Sequence, residues 1–137
     1  RPIFYVPDQT RSVVQDGKPG AYEFHPGTPE QYAVIDSATR ESCVVAYDAY
    51  QRMLDAGIAR EVARMVLPVT IYSSAYVTMN ARALMNFLSL RKKSDDATYP
   101  SYPQREIEMV AEAYEDHFAR LMPITHEAFV ASGRVAP

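Results

Sequence analysis

Cysteine is nearly missing from this chain: Cys43 stands alone among 137 residues, so no internal disulfide can form. Small disulfide-framed secreted scaffolds are thereby excluded, and a reducing, cytoplasmic setting is the simple expectation. Long apolar runs are missing too. No segment approaches the ~20 residues that a membrane-spanning helix needs, and no signal-peptide pattern opens the chain. Positive charge is not in excess: 14 Lys and Arg against 17 Asp and Glu leave a formal net charge of −3. No global basic field recruits nucleic acid or an anionic membrane, so any anion site must be local. Familiar catalytic motifs are also absent. There is no G-x-S-x-G, Walker loop or G-x-G-x-x-G, and His25, His117 and His126 form no i, i+4 pair, which argues against a metal site.

What is present fits one ordinary globular domain, residues 1–137, with 47% hydrophobic and 23% charged residues. The chain opens at Arg1 on an apolar run, so Pro2 to Val6 reads as a short strand in need of a partner. Residues 7 to 27, rich in Gly, Pro, Asp and Gln, read as a loop. Thr28-Pro29-Glu30-Gln31 is a helix start, with Thr28 as cap, Pro29 in the first position and Gln31 completing a capping box. Ile35, Ala38, Ser42, Ala46, Ala49 and Met53 then mark a buried stripe, and Gly57 ends the helix. A short helix from Ile58 to Leu67 stops at Pro68. Residues 69 to 79 alternate apolar and polar with many β-branched and aromatic side chains, the clearest strand signal of the chain.

Asn80 is placed to cap a third helix running to about Lys93, followed by a Tyr-Pro loop over Ser94 to Pro103. A fourth helix carries Ile107, Val110, Ala111, Tyr114, Phe118 and Leu121 as its core stripe, with Glu108, Glu112, Glu115 and Asp116 toward water. A last short helix spans about Thr125 to Ala131. The expected fold class is α+β, mostly helical, with one clear strand at 69–79 and a short one near the N-terminus.

Polar residues concentrate around the third helix. Its N-terminus can hold an anion, Arg82 adds a fork of donors suited to phosphate oxygens, and Asn86 can both donate to and accept from a ring edge. N-x-R-x-x-x-N is a short, unspecific pattern, and spacing alone favours a cap followed by a solvated face. Arg91 and Arg82 lie on opposite sides of the helix. Arg91 falls beside Leu84, Phe87 and Leu88, where an arginine either snorkels or pairs. Lys92 and Lys93 read as cations complementing the helix C-terminus, Arg64 as a surface charge, and Cys43 as a buried inert thiol.

The stretch from Arg60 to Arg91 contains R-E-V-A-R-M-V-L-P and then N-A-R-A-L-M-N-F-L-S-L-R. It resembles the R-E-x-A-R-x-x-L-P and N-A-R-x-L-x-x-F-x-x-x-R segments of flavin-dependent thymidylate synthases, in the same order and at the same separation. Over roughly Ile3 to Phe129 the resemblance implies an enzyme that uses FAD and NADPH to convert dUMP to dTMP with methylenetetrahydrofolate. It implies a homotetramer with active sites between subunits and no cysteine nucleophile. Carried over by position, Asn80, Ala81, Arg82 and Asn86 match FAD contacts, Arg64 matches a dUMP-binding arginine, and Arg91 matches the arginine that activates the uracil ring.

Two departures accompany the resemblance. The signature R-H-R-x7-S is absent from all 137 residues, so the chain reads as the C-terminal part of the family's domain, inactive alone for want of half its ligand shell. Residues 95 to 101 look like an insertion, and Tyr102-Pro103-Gln104-Arg105-Glu106 replaces the family's histidine and A-Q-x-E, with Tyr102 a candidate for stacking in the histidine's place. Two other readings remain open from sequence. One is a non-catalytic helical assembly or flavin-binding domain of the same fold. The other takes the helix from Arg82 to Lys93 as a nucleic-acid contact, against which the net charge and the acidic fourth helix argue.

Overall fold

The computed structural model describes residues 4–19 and 21–137. Two short strands, β1 (Val14–Lys18) and β2 (Ala21–His25), form a two-stranded sheet with two residues between them. Five helices follow among the described residues: α1 (Pro29–Asp55), α2 (Arg60–Ala63) with a 3-10 turn at Arg64–Val66, α3 (Ala81–Arg91), α4 (Arg105–Leu121) and α5 (Pro123–Ala131). The class is therefore α+β and mostly helical, as expected. The chain divides into two compact units, one holding the segment up to Asp16 with Glu23–Ala75, the other Gly17–Tyr22 with Tyr76–Pro137.

The strands lie elsewhere than the alternation suggested, and 69–79 is a correction. Only Ile71 pairs, in an isolated antiparallel bridge to Phe4, and residues 72 to 79 carry no regular structure. A strand needs a ladder for its N–H and C=O groups, and here the ladder is one bridge long. The Tyr5 amide donates to the Thr70 carbonyl at 2.8 Å and the Tyr5 and Tyr72 rings meet edge to face. Of the N-terminal strand, Pro2 and Ile3 lie outside the described residues, and Phe4 takes part in that bridge. Conversely, the segment read as loop holds the real hairpin, and Gly17 (φ 94°) takes a left-handed conformation within β1 that a glycine adopts without steric cost.

In the first unit, α1 starts as its sequence dictates. Thr28 Oγ1 accepts from the Gln31 amide at 3.3 Å, and Gln31 Oε1 accepts from the Thr28 amide at 2.8 Å. Gly57, at φ 76°, turns the chain out of the helix. The stripe is rotated from the expected one: Tyr32 and Cys43 are the buried positions, while Ala38 and Ser42 are exposed. Tyr32 decides this, because its hydroxyl donates to the Arg11 carbonyl at 2.6 Å and accepts from the Gly27 amide at 3.2 Å. Cys43 is 4% exposed, with its sulfur 3.6 Å from Thr70 Oγ1, and Ala63 on α2 is fully buried.

In the second unit, α3, α4 and α5 share a core of Met85, Leu88, Ala111, Phe118 and Phe129, flanked by Leu84, Phe87, Tyr114 and Val130. Leu121, expected in the stripe, is exposed at the end of α4.

Candidate functional site

Helix α3 is the element on which the expected site residues gather. Asn80 has extended backbone and its side-chain oxygen accepts from the Ala83 amide at 2.9 Å, so it is the N-cap. The amides of Ala81 and Arg82 have no intrahelical acceptor and face outward with the positive end of the dipole. Arg82 and Asn86, four residues apart, are both exposed on one face, turned away from the buried Leu88. Neither Arg82 nor Arg91 takes part in an ion pair among the described residues, whereas Lys92, Arg105 and Arg134 do. Arg91, the last residue of α3, is exposed, on the side of the helix that also carries Phe87 and Leu88. Nine residues of helix separate it from Arg82, which puts the two on opposite sides.

Arg64 belongs to the first unit, where it opens the 3-10 turn after α2 and is exposed. Two carbonyls of α2, those of Arg60 and Val62, accept its backbone amide, and the neighbouring buried Ala63 anchors the turn. The structure thus gathers Asn80, Ala81, Arg82, Asn86 and Arg91 on one helix, with Arg64 in a different unit.

A shallow cavity of about 350 Å³ opens beside Asn86, lined also by Ser89, Tyr99, Ser101 and Arg134. One of its lining residues, Arg134, is paired with a group that sequence reading assigned to water. Glu115 is 5% exposed and meets three basic side chains: Lys92 Nζ at 2.6 Å, Arg134 Nη2 at 2.8 Å and His126 Nε2 at 2.8 Å. Burial alone pushes its carboxyl up, but the hydrogen bonds from Arg134, Lys92 and His126 together outweigh burial and hold it at about 2. Arg134 is itself 6% exposed, lies over the Phe129 ring and takes φ 60°.

Residues 2–124 match the family model described as thymidylate synthase complementing protein, Thy1. The flavin-dependent thymidylate synthase of Streptomyces coelicolor is 58% identical over all 137 residues, and that of Tropheryma whipplei strain TW08/27 is 54% identical over 136. The chain belongs to the flavin-dependent thymidylate synthase family. It spans 56% and 57% of those two relatives, a little over half of their length. Among solved structures, a UMP/dUMP methylase, PolB from Streptomyces cacaoi, bound with 5-Br UMP, superposes with a TM-score of 0.91 at 57% identity. That match covers 98% of this chain and 60% of the methylase.

For a flavin-dependent thymidylate synthase chain, the loop that departs from the family pattern is well tied down. Ser101 Oγ donates to the Lys92 carbonyl at 2.8 Å, and the Thr98 amide to the Gly133 carbonyl at 2.8 Å. It is Tyr99 of this loop, not Tyr102, that lines the cavity beside Asn86. Glu115, Arg134 and Tyr99 were missed in the sequence for different reasons. Glu115 follows the buried Ala111 by four residues, a spacing that signals the core face, but its charge argued for water. Nothing local foretold the role of Arg134 or Tyr99. No helix among the described residues is long and apolar enough to cross a membrane.

Proposed function

We propose that this chain is part of a cytoplasmic flavin-dependent thymidylate synthase that reductively methylates dUMP to dTMP, with methylenetetrahydrofolate as carbon donor and NADPH as reductant. The observation that carries the reading is the agreement along the whole chain with the Streptomyces coelicolor synthase, 58% over 137 residues, in a stretch that leaves Arg82, Asn86 and Arg91 exposed. Residues that serve only packing have no need of such exposure. The match to a methylase bound with a uridine nucleotide supports dUMP as substrate.

The donors of α3 fit FAD. Two outward amides and the Arg82 fork supply what a pyrophosphate takes, and Asn86, at the edge of a largely apolar cavity of about 350 Å³, supplies both a donor and an acceptor for a ring edge. Asn80, Ala81, Arg82 and Asn86 would hold the cofactor, which supplies the reducing equivalents when bound. Arg64 pairs with the anionic substrate. Arg91 stabilises negative charge as it develops on the pyrimidine and so favours loss of the ring-nitrogen proton. Arg82 and Arg91 emerge from opposite sides of α3, which suits contacts to two ligands, and to sites shared between subunits of a homotetramer.

The test is tritium release from 5-tritiated dUMP with FAD, NADPH and methylenetetrahydrofolate, on the full-length protein that contains this chain. Release is expected to depend on NADPH and to fall by ~10²–10³-fold in Arg91→Ala, the loss typical of one donor to a developing charge. No release from folded, flavin-saturated protein would leave a non-catalytic assembly domain of the same fold.

A further inference from the structure

The end of α3 is held in an unusual way. Arg91 takes part in no ion pair among the described residues, so what places it is the backbone of the last helical turn, from which its side chain departs. That turn is bracketed by two ties to one carboxylate. On one side, Lys92, the very next residue and the C-cap, reaches Glu115 Oε2 at 2.6 Å. On the other, Ser89 Oγ donates at 2.5 Å to the carbonyl of Arg134, whose guanidinium donates to the same Glu115 Oε2 at 2.8 Å. His126 occupies the other oxygen of Glu115 at 2.8 Å. The Lys93 amide adds a bond to Glu108 Oε1 at 3.2 Å, and the Lys92 carbonyl accepts from Ser101 Oγ.

We propose that Glu115 is a positioning residue for Arg91, acting through Lys92 and Arg134 to fix the helix end from which the Arg91 guanidinium projects. This rests on the synthase reading and deepens it. Well-packed apolar side chains hold a helix end at least as stably as a buried charge cluster does. What the cluster adds is direction: Oε2 accepts from both Lys92 and Arg134, so the helix end is referred to one point, directly through Lys92 and indirectly through Ser89 and Arg134. A guanidinium that must meet a charge appearing only in the transition state loses much of its effect when displaced by ~1 Å.

The inference predicts a particular kinetic pattern in the full-length protein. Lys92→Met, which removes the half-buried arm of the cluster and leaves Glu115 and Arg134 in place, is expected to lower kcat for tritium release by ~10-fold with little change in KM for dUMP. Lys92→Arg is expected to restore most of it. Glu115→Gln is expected to lower kcat further. In an Arg91→Ala background, Lys92→Met is expected to change turnover by less than about 2-fold, because the residue being positioned is gone. Should Glu115→Gln fail to fold, the lysine variants and the double variant still decide the matter. Equal kcat in Lys92→Met and wild type, or a loss that adds in full to that of Arg91→Ala, would overturn the positioning role while leaving the synthase reading intact. A wild-type protein without turnover would instead overturn that reading, and this inference with it.

Discussion

Arg82, Asn86 and Arg91 show how far a residue type can be read without a fold. Their spacing on one helix was legible, because 3.6 residues per turn puts positions four apart on one face and nine apart on opposite faces. Their exposure was not, since an arginine beside Leu88 could equally have been paired. The consequence at this scale concerns binding. Arg82→Ala removes a charged donor and leaves the helix intact, so FAD affinity, followed by flavin fluorescence, is expected to weaken by about 1.5–3 kcal/mol, ~10- to 150-fold. Asn86→Ala is expected to cost less, about 1 kcal/mol, as a neutral partner does. Cys43 illustrates the opposite case: at 4% exposure, against Thr70, it is packing material. Cys43→Ala is expected to leave turnover unchanged while lowering the melting temperature.

Among elements, those with local instructions came out as read. Thr28, Pro29 and Gln31 began α1, Asn80 began α3, and Gly57 and Pro68 stopped their helices, since each acts through backbone groups within a few residues. Thr28→Ala is expected to destabilise the protein by ~1 kcal/mol in urea unfolding, the usual worth of an N-cap. The segment 69–79 failed because alternation states only that a strand would suit these residues; the partner comes from elsewhere in the chain, and Phe4 supplies one position of it. Gly133 joins the two kinds of element. Its φ of 70° follows α5, and a Cβ there would collide with Thr98 Oγ1. Gly133→Ala is therefore expected to destabilise by more than the ~1 kcal/mol of the positive φ alone, and to loosen the loop that carries Tyr99.

For the whole molecule, the Glu115 cluster makes stability depend on pH with a definite sign. The Glu115 carboxyl is held at about 2 when folded, against an ordinary 4.5. A lowered value means that the unfolded chain binds the proton more readily, so this contribution is fully present above about 4.5 and fades as pH falls toward 2. Urea unfolding across that range is expected to show stability falling with acid in wild type and a flatter curve in Glu115→Gln. At neutral pH the variant is expected to be less stable by about 3 kcal/mol, because Lys92 and Arg134 are left as cations without their carboxylate.

The sequence by itself determined the helices, their caps and stops, the mostly helical α+β class, and the alignment of Asn80, Arg82, Asn86 and Arg91 along one helix, all of which depend on neighbours within about two turns. It also carried the family, through the ordered block from Arg60 to Arg91. Only the tertiary structure decided where the strands pair, which face of α1 is buried, that Tyr99 and not Tyr102 borders the cavity, and that Glu115 gathers Lys92, His126 and Arg134. These turn on groups 11 to 23 residues apart in the case of Glu115. Whether a carboxylate at that distance is solvated or enclosed is settled by which partners the packing brings to it, because burial is unfavourable until donors replace its water.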